Sequence, residues 1–443
     1  MKNMTTLATT KEKAILIGLD RGKPHENFVK SMEELKLLAD TAGAEVIFQV
    51  DQKRSTPDSA FYVGPGKAKE VATLAEELSA DLVIFNDELS PSQIINLDRV
   101  INKKVIDRSA LILDIFANRA RSREGRLQVE LAQMSYLLPR LTGLGSTLSR
   151  LGGGIGTRGP GETKLEVDRR VIRRRISDLK KEIIAIRKHR AIHRKRRRRN
   201  RCAVVSLVGY TNAGKSTLLN ALTGADLYTE DKVFATLDPA TRRGMMEGGR
   251  EVLFTDTVGF IEKLPRQLVT AFQATLEEIE AADMLIHVID LSHPDYLNHI
   301  KTVHSHLKKI DPQAETRELL VFNKVDLLTG KSEIKFLKHE FPEALFISAL
   351  TGEGMTELIK KTELMLSSAG MRMKIYLPYR EGKLYAMLQE RARIDCLEYR
   401  SDYLELTVIV DRELADKLMP FTELPDGVTV EVKDNTDNEN QGN

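Results

Sequence analysis

The sequence predicts an α/β protein of several domains, and three observations lead to this prediction. The chain has 443 residues, which is enough for about three domains of ordinary size. Short apolar runs alternate with amphipathic helical stretches in two separate regions, which is typical of strand–helix–strand units. Two long stripes of apolar residues at helical spacing lie between those regions.

We expect five segments along the chain. They are an N-terminal α/β domain (1–110), a helical hairpin (111–200) with a glycine-rich loop (142–165), a second α/β domain (201–369), a small α+β domain (370–433) and a disordered tail (434–443). The tail is polar and acidic, so it has too little apolar surface to fold by itself.

The N-terminal segment predicts a small parallel sheet, because repeated strand–helix units place parallel strands side by side with helical crossovers. The predicted strands are Ala14–Leu19, Glu45–Val50, Asp81–Phe85 and Lys104–Asp107, and the predicted helices are Phe28–Ala42, Lys67–Leu78 and Pro91–Val100. Ser90 before Pro91 is a typical helix start. Gly64-Pro-Gly-Lys67 also opens a helix, and either an anion or RNA contact or a plain helix-start turn explains it.

Two apolar stripes predict the hairpin. Residues of each stripe recur every three or four positions, so each stripe forms one face of a helix, and two such helices bury each other in an antiparallel pair. The stripes are Leu127, Leu131, Met134, Leu138 and Leu141, and Ile172, Ile176, Leu179, Ile183 and Ile186. The loop between them has eight glycines in 24 residues, and a loop of this length is functional or disordered.

The second α/β domain and the C-terminal segment each have their own pattern. The predicted strands of the second domain are Ala203–Val208, Glu251–Asp256, Leu285–Asp290, Glu318–Asn323 and Ala344–Ser348. The C-terminal segment reads as strand (Met373–Leu377), helix (Glu381–Arg391), strand (Ile394–Tyr399), strand (Tyr403–Val410), helix (Arg412–Phe421) and strand (Val428–Lys433). This order predicts a ferredoxin-like arrangement.

Composition excludes several classes of protein. Charged residues make up 30% of the chain, and there is no apolar run of the ~18–20 residues that a membrane span needs. The N-terminus lacks the apolar core of a signal peptide, so we expect a cytoplasmic protein without stable membrane insertion. Cys202 and Cys396 lie far apart and have no metal-ligand spacing, which argues against a disulfide framework and a zinc site.

Basic residues are concentrated in one segment. Between Asp168 and Arg201 there are 17 Lys and Arg against 3 Asp and Glu, a local charge of +14, whereas the whole chain carries +3. A basic helix without interleaved aromatic residues fits the phosphate backbone of structured RNA better than single strands. A solvated charged face or a peripheral contact with anionic lipid is the alternative.

Gly209-Tyr-Thr-Asn-Ala-Gly-Lys-Ser216 has the spacing GxxxxGKS between a predicted strand and a predicted helix. This is the context of a phosphate-binding P-loop. Glycines let the backbone amides approach the phosphates, and the helix N-terminus adds partial positive charge. Lys215 would reach the β- and γ-phosphate oxygens, and the Ser216 hydroxyl would bind Mg²⁺. A plain glycine-rich turn is the alternative.

Three further motifs follow, each at the end of a predicted strand. Asp256-Thr-Val-Gly259 offers a carboxylate that can hold Mg²⁺ through water and an amide for the γ-phosphate. In Asn323-Lys-Val-Asp326 the last carboxylate can accept both guanine N1–H and N2–H, while Asn323 fixes the base and Lys324 packs over the ring. A backbone amide in Ser348-Ala-Leu350 can meet guanine O6. In this order the motifs predict a guanine-specific P-loop GTPase.

The expected ligand is GTP or GDP, and the expected cofactor is Mg²⁺, bound by Ser216 and Thr236 directly and by Asp256 through water. Thr229 and Thr241 are alternatives to Thr236. The predicted GTP-binding residues are Gly209, Tyr210, Thr211, Asn212, Ala213, Gly214, Lys215, Ser216, Thr217, Phe234, Thr236, Asp256, Gly259, Asn323, Lys324, Asp326, Ser348, Ala349 and Leu350.

No catalytic group is assigned, although Lys215, Thr236 and Gly259 are expected to stabilise or sense the γ-phosphate. Residue 260 is Phe, where many Ras-like GTPases place the glutamine that orients the attacking water. Either another group or a partner must supply this function. Arg242 and Arg243 could act as arginine fingers, but solvation or an RNA contact is favoured. The histidines at 287, 293, 304 and 306 are expected to be surface or core residues and not ligands.

On these motifs the chain resembles the HflX family of translational GTPases. The matching stretches are Ala235–Pro239, Asp256–Phe260, Asn323–Asp326, Gly64–Lys67, Gly125–Gln133 and Gly152–Lys164. The resemblance implies binding to the large (50S) ribosomal subunit and the 70S ribosome, and GTP-dependent splitting of stalled or idle ribosomes, particularly after heat stress. It also implies that the glycine-rich loop reaches toward the peptidyl-transferase region, and that the N-terminal domain has a second purine-nucleotide activity.

We expect the hairpin and its basic helix to contact ribosomal RNA, and the protein to be a monomer off the ribosome. The expected contacts are Arg150, Gly153, Arg158, Lys164, Arg173, Arg174, Arg196 and Arg197. Two other functions stay open: a GTP-dependent ribosome-assembly or RNA-remodelling factor, and a signalling GTPase held at a membrane surface by the basic segment.

Overall fold

The computed structural model describes residues 11–22, 25–151, 164–199, 203–224, 233–234, 236, 240–246, 251–263, 273–328, 331–368, 371–410 and 412–423. Two compact units are present, Met1–Glu357 and Leu358–Asn443. None of the helices described is both long enough and apolar enough to cross a membrane.

The first unit begins with the predicted parallel sheet. Its elements are β1 (Lys13–Asp20), α1 (His25–Ala42), β2 (Glu45–Lys53), α2 (Pro65–Glu77), β3 (Leu82–Phe85), α3 (Pro91–Ile101) and β4 (Lys104–Asp107). All pairings are parallel in the order β2-β1-β3-β4. Alternate strand residues enter two cores on opposite faces, such as Leu16 in one and Ile15 in the other. Ser90 caps α3 as predicted and forms a capping box with Gln93.

Three helices follow the sheet: α4 (Arg108–Arg119), α5 (Arg123–Leu151) and α6 (Lys164–Arg199). Helix α4 crosses the expected boundary at residue 110 and packs into the same core as β1. The domain boundaries therefore stay a proposal. Helices α5 and α6 are antiparallel, since Arg175 on α6 contacts Glu130 on α5 at 2.7 Å and Arg123 contacts Glu182 at 3.6 Å.

The predicted stripes of the two helices meet each other. Leu127 and Leu131 on α5 form one hydrophobic cluster with Leu179 and Ile183 on α6. The opposite face of α5 carries Val129, Ala132 and Tyr136 into the core of the N-terminal sheet, which the stripe alone did not predict.

A six-stranded sheet completes the first unit. Its strands are β5 (Ala203–Gly209), β6 (Ala240–Met245), β7 (Glu251–Asp256), β8 (Met284–Asp290), β9 (Glu318–Asn323) and β10 (Leu345–Phe346). The order is β10-β9-β8-β5-β7-β6, and β6 pairs antiparallel with β7 while the other pairings are parallel. The sequence did not predict β6, because this edge strand is largely exposed and lacks an apolar run.

Among the described residues, the helices that accompany this sheet are α7 (Lys215–Thr223), α8 (Gln273–Glu280), α9 (Tyr296–Ile310), α10 (Lys331–Glu340) and α11 (Met355–Ser368). Helix α11 runs across the boundary between the two compact units.

The second unit contains an antiparallel sheet. It comprises β11 (Met371–Pro378), α12 (Gly382–Arg391), β12 (Arg393–Tyr399), β13 (Tyr403–Val410) and α13 (Arg412–Leu418), with strand order β11-β13-β12. Inward residues such as Ile375, Leu388 and Leu406 share one core. The predicted strand Val428–Lys433 and the tail lie outside the described residues, so the complete ferredoxin-like arrangement stays a prediction.

Candidate functional site

The P-loop lies between the end of β5 and the start of α7. Gly214 has a φ of +90°, which favours glycine and lets the chain enter the helix directly. The ammonium of Lys215 donates to the carbonyl oxygens of Gly209 at 3.2 Å and Tyr210 at 2.7 Å. Burial lowers the pKa of Lys215 to about 8. Phosphate oxygens next to this buried amine would therefore favour its charged form.

Two hydroxyls and one carboxylate meet beside the P-loop. Ser216 and Thr236 both donate to the Oδ2 atom of Asp256, at 2.6 and 2.8 Å, and their hydroxyl oxygens lie 2.8 Å apart. Within the described part of the chain, the Oδ1 atom of Asp256 is buried without a hydrogen-bond partner. Burial raises the pKa of this carboxyl because it disfavours the charged form. A cation beside Asp256 would offset this desolvation of the carboxylate.

This donor set fits Mg²⁺. Hydroxyl and carboxylate oxygens are the hard ligands that this ion prefers, and the buried Oδ1 atom of Asp256 lacks a partner that the ion or its bound water would supply. Among the threonines considered for this role, Thr241 instead contacts Thr255 at 3.1 Å, and Thr229 lies outside the described residues.

The segment after β7 is bound to the P-loop through its backbone. Phe260 N–H donates to the Gly209 carbonyl at 3.1 Å, and Thr211 N–H donates to the Phe260 carbonyl at 2.9 Å. A Cβ atom on Gly259 would lie 2.7 Å from the Thr211 Cα, so only glycine fits here without movement. The Asp256–Gly259 motif is therefore held against the phosphate-binding loop.

The other end of the site is organised by Asn323. Its side-chain amide donates to the Ala213 carbonyl at 2.9 Å, and its Oδ1 atom accepts from Ala349 N–H at 2.9 Å. One residue thus connects the P-loop, β9 and the loop after β10. Lys324 pairs with Asp290 at 2.7 Å, while Asp326 is exposed, which leaves a carboxylate open toward a base.

Comparisons with known proteins agree with this geometry. Three family models match: GTP-binding GTPase N-terminal over residues 29–117, GTP-binding GTPase Middle Region over 119–197, and 50S ribosome-binding GTPase over 204–324. The chain is 48% identical to the GTPase HflX of Caldanaerobacter subterraneus, covering 94% of this chain and 95% of that protein. It is 42% identical to the GTPase HflX of Escherichia coli, covering 83% of this chain and 86% of that protein.

The chain belongs to the HflX family. Like its HflX relatives it is a GTPase that binds GTP and GDP and hydrolyses GTP. Among solved structures, a GTP-binding protein from Sulfolobus solfataricus in complex with GDP is 25% identical, with a TM-score of 0.43, and covers 81% of this chain and 99% of that chain.

Phe260, at the position of the usual glutamine, is a core residue in this HflX-family chain. Its side chain is 7% exposed and shares a cluster with Tyr210 and Ile279. Its ring stacks on His306 with centroids 5.4 Å apart. Packing therefore explains this side chain, and it cannot orient a water molecule. Of the two arginines proposed as fingers, Arg243 on the edge strand β6 pairs with the exposed Glu251 at the start of β7, at 3.8 Å.

The expected RNA contacts are placed only in part. Arg173 and Arg174 are exposed on α6. Gly153 and Arg158 lie outside the described residues, as do the side chains of four others: Arg150, Lys164, Arg196 and Arg197.

The sequence did not reveal that α1 of the N-terminal sheet contacts the P-loop. The Tyr210 hydroxyl donates to Glu34 on α1 at 2.5 Å and accepts from Glu262 N–H at 3.0 Å. Glu34 also pairs with Arg108, whose side chain is 2% exposed. Tyr210 and Glu34 are 176 positions apart, so no local pattern could have shown this pairing.

The nucleotide-sensing segments also enter the N-terminal core. Val233 and Phe234, just before Thr236, share one hydrophobic cluster with Leu35 of α1. Val258 and Ile261, on either side of Gly259, belong to the same cluster. The GTPase site and the N-terminal sheet are thus joined through the segments that would sense the γ-phosphate.

Proposed function

We propose that this GTPase is a switch that binds the large ribosomal subunit in its GTP state and promotes dissociation of stalled or idle 70S ribosomes, particularly under heat stress. One observation carries the proposal. The residues next to Thr236 and Gly259 belong to the same hydrophobic cluster as Val129, Ala132 and Tyr136 of α5, which is one arm of the helical pair. A change at the γ-phosphate can therefore reach the arm that leads to the basic helix.

The proposed site assigns a role to each part of the geometry. Lys215 and the amides of residues 209–217 bind the phosphates, Ser216 and Thr236 bind Mg²⁺, and Asp256 binds it through water. Gly259 senses the γ-phosphate. Asn323, Lys324 and Asp326 select guanine together with the backbone of residues 348–350. Bound Mg²⁺ would neutralise negative charge on the nucleotide phosphates while the γ-phosphoryl group passes from GDP, the leaving group, to a water molecule.

The RNA-binding surface is the basic part of α6. Arg173 and Arg174 are exposed there, and the segment from 168 to 201 carries a charge of +14. Such a surface favours a phosphate backbone and predicts binding that weakens steeply with salt. GTP binding would order the segments around Phe234 and Gly259 and favour the RNA-bound state, and hydrolysis would release it.

A pair of threonine variants tests the switch. Thr236→Ala removes the hydroxyl beside Asp256, so we expect 50S-stimulated GTP hydrolysis to fall at least about tenfold, because a lost charge-stabilising contact commonly costs more than that. Thr241→Ala is the matched control, since its hydroxyl contacts Thr255 instead. Turnover is measured with and without 50S subunits. A wild-type rate that 50S subunits leave unchanged would contradict the proposal.

Two further measurements separate the alternatives. Light scattering of 70S ribosomes should fall when the protein is added with a non-hydrolysable GTP analogue, but not with GDP. An assembly factor would leave the scattering of mature ribosomes unchanged. Sedimentation with ribosomes or with anionic vesicles at matched salt distinguishes a ribosomal from a membrane-surface role.

A further inference from the structure

Three ionisable side chains from separate elements meet on one face of the six-stranded sheet. His287 lies on β8, Glu318 begins β9 and His304 lies on α9. Leu285 is the neighbour of Glu318 in the β8–β9 register, so Glu318 and His287 share one face of the sheet. Helix α9 covers that face and brings His304 to the same point.

The three side chains form a compact group. The Nδ1 atom of His287 lies 2.7 Å from Glu318 Oε1, and the Nε2 atom of His304 lies 2.9 Å from Glu318 Oε2. All three possible ligand atoms lie within 4.8 Å of one another. Within the described ranges, this is the one group of three or more His, Cys, Asp or Glu side chains with that spacing.

Burial makes the group unusual for a simple ion pair. The side chains of His287 and Glu318 are 1% and 6% exposed, whereas that of His304 is 30% exposed. Burial lowers the pKa of His287, which favours the neutral imidazole that metals bind. Burial alone would raise the pKa of Glu318, but hydrogen bonds from the two imidazoles outweigh it and hold that pKa at about 2. The hydrogen bond to Glu318 raises the pKa of His304, so a metal ion would have to displace a proton from that ring, whereas His287 and Glu318 already favour the forms that bind a metal.

We propose that His287, His304 and Glu318 hold a divalent transition-metal ion, and that Zn²⁺ fits the set best. Two imidazoles and one carboxylate are a common three-ligand set for Zn²⁺, which takes a fourth ligand such as water. The partly exposed side chain of His304 gives the ion a path to the site and water access to it. This proposal departs from the sequence-based expectation that His287 and His304 are core or surface residues and not ligands, because residues 31 positions apart, such as His287 and Glu318, leave no local ligand pattern.

The three ligand atoms must adjust their spacing to admit the ion. Zinc–ligand distances of about 2.0–2.2 Å in a tetrahedron place ligand atoms roughly 3.3–3.5 Å apart. Glu318 Oε1 now lies 2.7 Å from His287 Nδ1 and 3.1 Å from His304 Nε2, so both separations must open by a few tenths of an ångström. The two ring nitrogens, which lie within 4.8 Å of each other, must reach the same spacing. The ion would tie α9 to β8 and β9, and the same helix carries His299 against Tyr210 and His306 against Phe260.

The test uses the untagged full-length chain, freed of metal with a chelator and saturated with GDP and excess Mg²⁺. Titration with Co²⁺ should give the intense visible absorption of a four-coordinate ion at one equivalent, and Zn²⁺ should displace it. Six-coordinate Co²⁺ at the nucleotide site absorbs weakly and is thereby distinguished. His304→Gln and Glu318→Gln should bind more than about 100-fold more weakly, since loss of even an outer-shell partner costs about 10- to 100-fold.

His306→Gln is the matched control, because it removes a histidine of the same helix and should keep the band. Thermal unfolding with and without Zn²⁺ gives a second readout, and the ion should raise the melting temperature of the wild type but not of His304→Gln. If the wild type shows neither the band nor the shift, the three residues form a hydrogen-bonded group only. If both persist in His304→Gln and Glu318→Gln, the ion binds elsewhere, and the proposal is equally wrong.

Discussion

Individual side chains around the P-loop are kept in charge states that burial disfavours. Lys215 and Asp256 are almost fully buried, and burial lowers the pKa of the amine while it raises that of the carboxyl. Both charges gain partners when a magnesium nucleotide binds. The phosphates and the ion then offset the free-energy cost of burying the two charges, which favours the nucleotide-bound state. His299 differs from these two, because burial favours its neutral form: its ring lies flat on Tyr210, with centroids 3.8 Å apart.

His299 makes stability depend on pH. Burial lowers its pKa to about 4, compared with about 6.5 in an unfolded chain. The unfolded chain then binds more protons between these values, so stability is greatest above pH 6.5 and falls as the pH drops toward 4. Between about pH 7 and pH 5 we expect the wild type to lose about 1 kcal/mol more than His299→Phe, after allowance for partial exposure.

Urea unfolding at several pH values measures this difference. His339→Phe, at an exposed position on α10, is the control and should follow the wild-type pH dependence. Parallel curves for the wild type and His299→Phe would show that His299 does not titrate as its burial implies.

At the scale of elements, the contact between α4 and the segment before Thr236 joins the two sheets. Phe116 and Phe234 meet edge to face, with centroids 4.6 Å apart, and both are buried. We expect Phe234→Ala to lower the free energy of unfolding by about 3 kcal/mol, because it leaves a cavity. The double variant with Phe116→Ala should reveal a coupling of about 1 kcal/mol.

Chemical denaturation of the two single variants and the double variant measures this coupling. Phe336→Ala is the control, since its side chain is 68% exposed and its removal should change stability by less than about 0.5 kcal/mol. Strictly additive effects of the two single variants would mean that the ring contact does not hold the sheets together.

Elements with local signals could be predicted, and contacts between distant segments could not. The apolar runs of β1 to β4 and the apolar stripes of α5 and α6 are periodic, so their positions follow from sequence. The P-loop and Asn323 can be predicted because their motifs are local. Strand β6 has no such signal, because Arg242 and Arg243 interrupt any apolar run, and the place of Phe260 in the core depends on its contact with the distant His306.

At the scale of the whole first unit, the GTPase site is bound to the N-terminal sheet by polar contacts as well as by the shared core. Lys30 on α1 pairs with Asp295 at 2.6 Å, and Lys263 pairs with Asp87 at 2.8 Å. Glu34 lies between Tyr210 of the P-loop and the buried guanidinium of Arg108. Removing the charge of Glu34 would leave the buried guanidinium of Arg108 without a carboxylate partner, which destabilises the folded protein.

The nucleotide bound at the GTPase site should therefore change the local stability of α1 and α4, although both helices are far from the P-loop in sequence. If, as proposed, a non-hydrolysable GTP analogue holds the segments around Phe234 and Gly259 more firmly than GDP does, amide hydrogen exchange in residues 25–42 and 108–119 should be slower with the analogue. Glu34→Gln should reduce this nucleotide-dependent difference, because it weakens the contact between α1 and Tyr210. Glu33→Gln, at an exposed neighbouring position on α1, should keep it. Equal exchange in both nucleotide states of the wild type would mean that the shared core does not transmit the state of the γ-phosphate, and the proposed route to α5 and the basic helix would then fail.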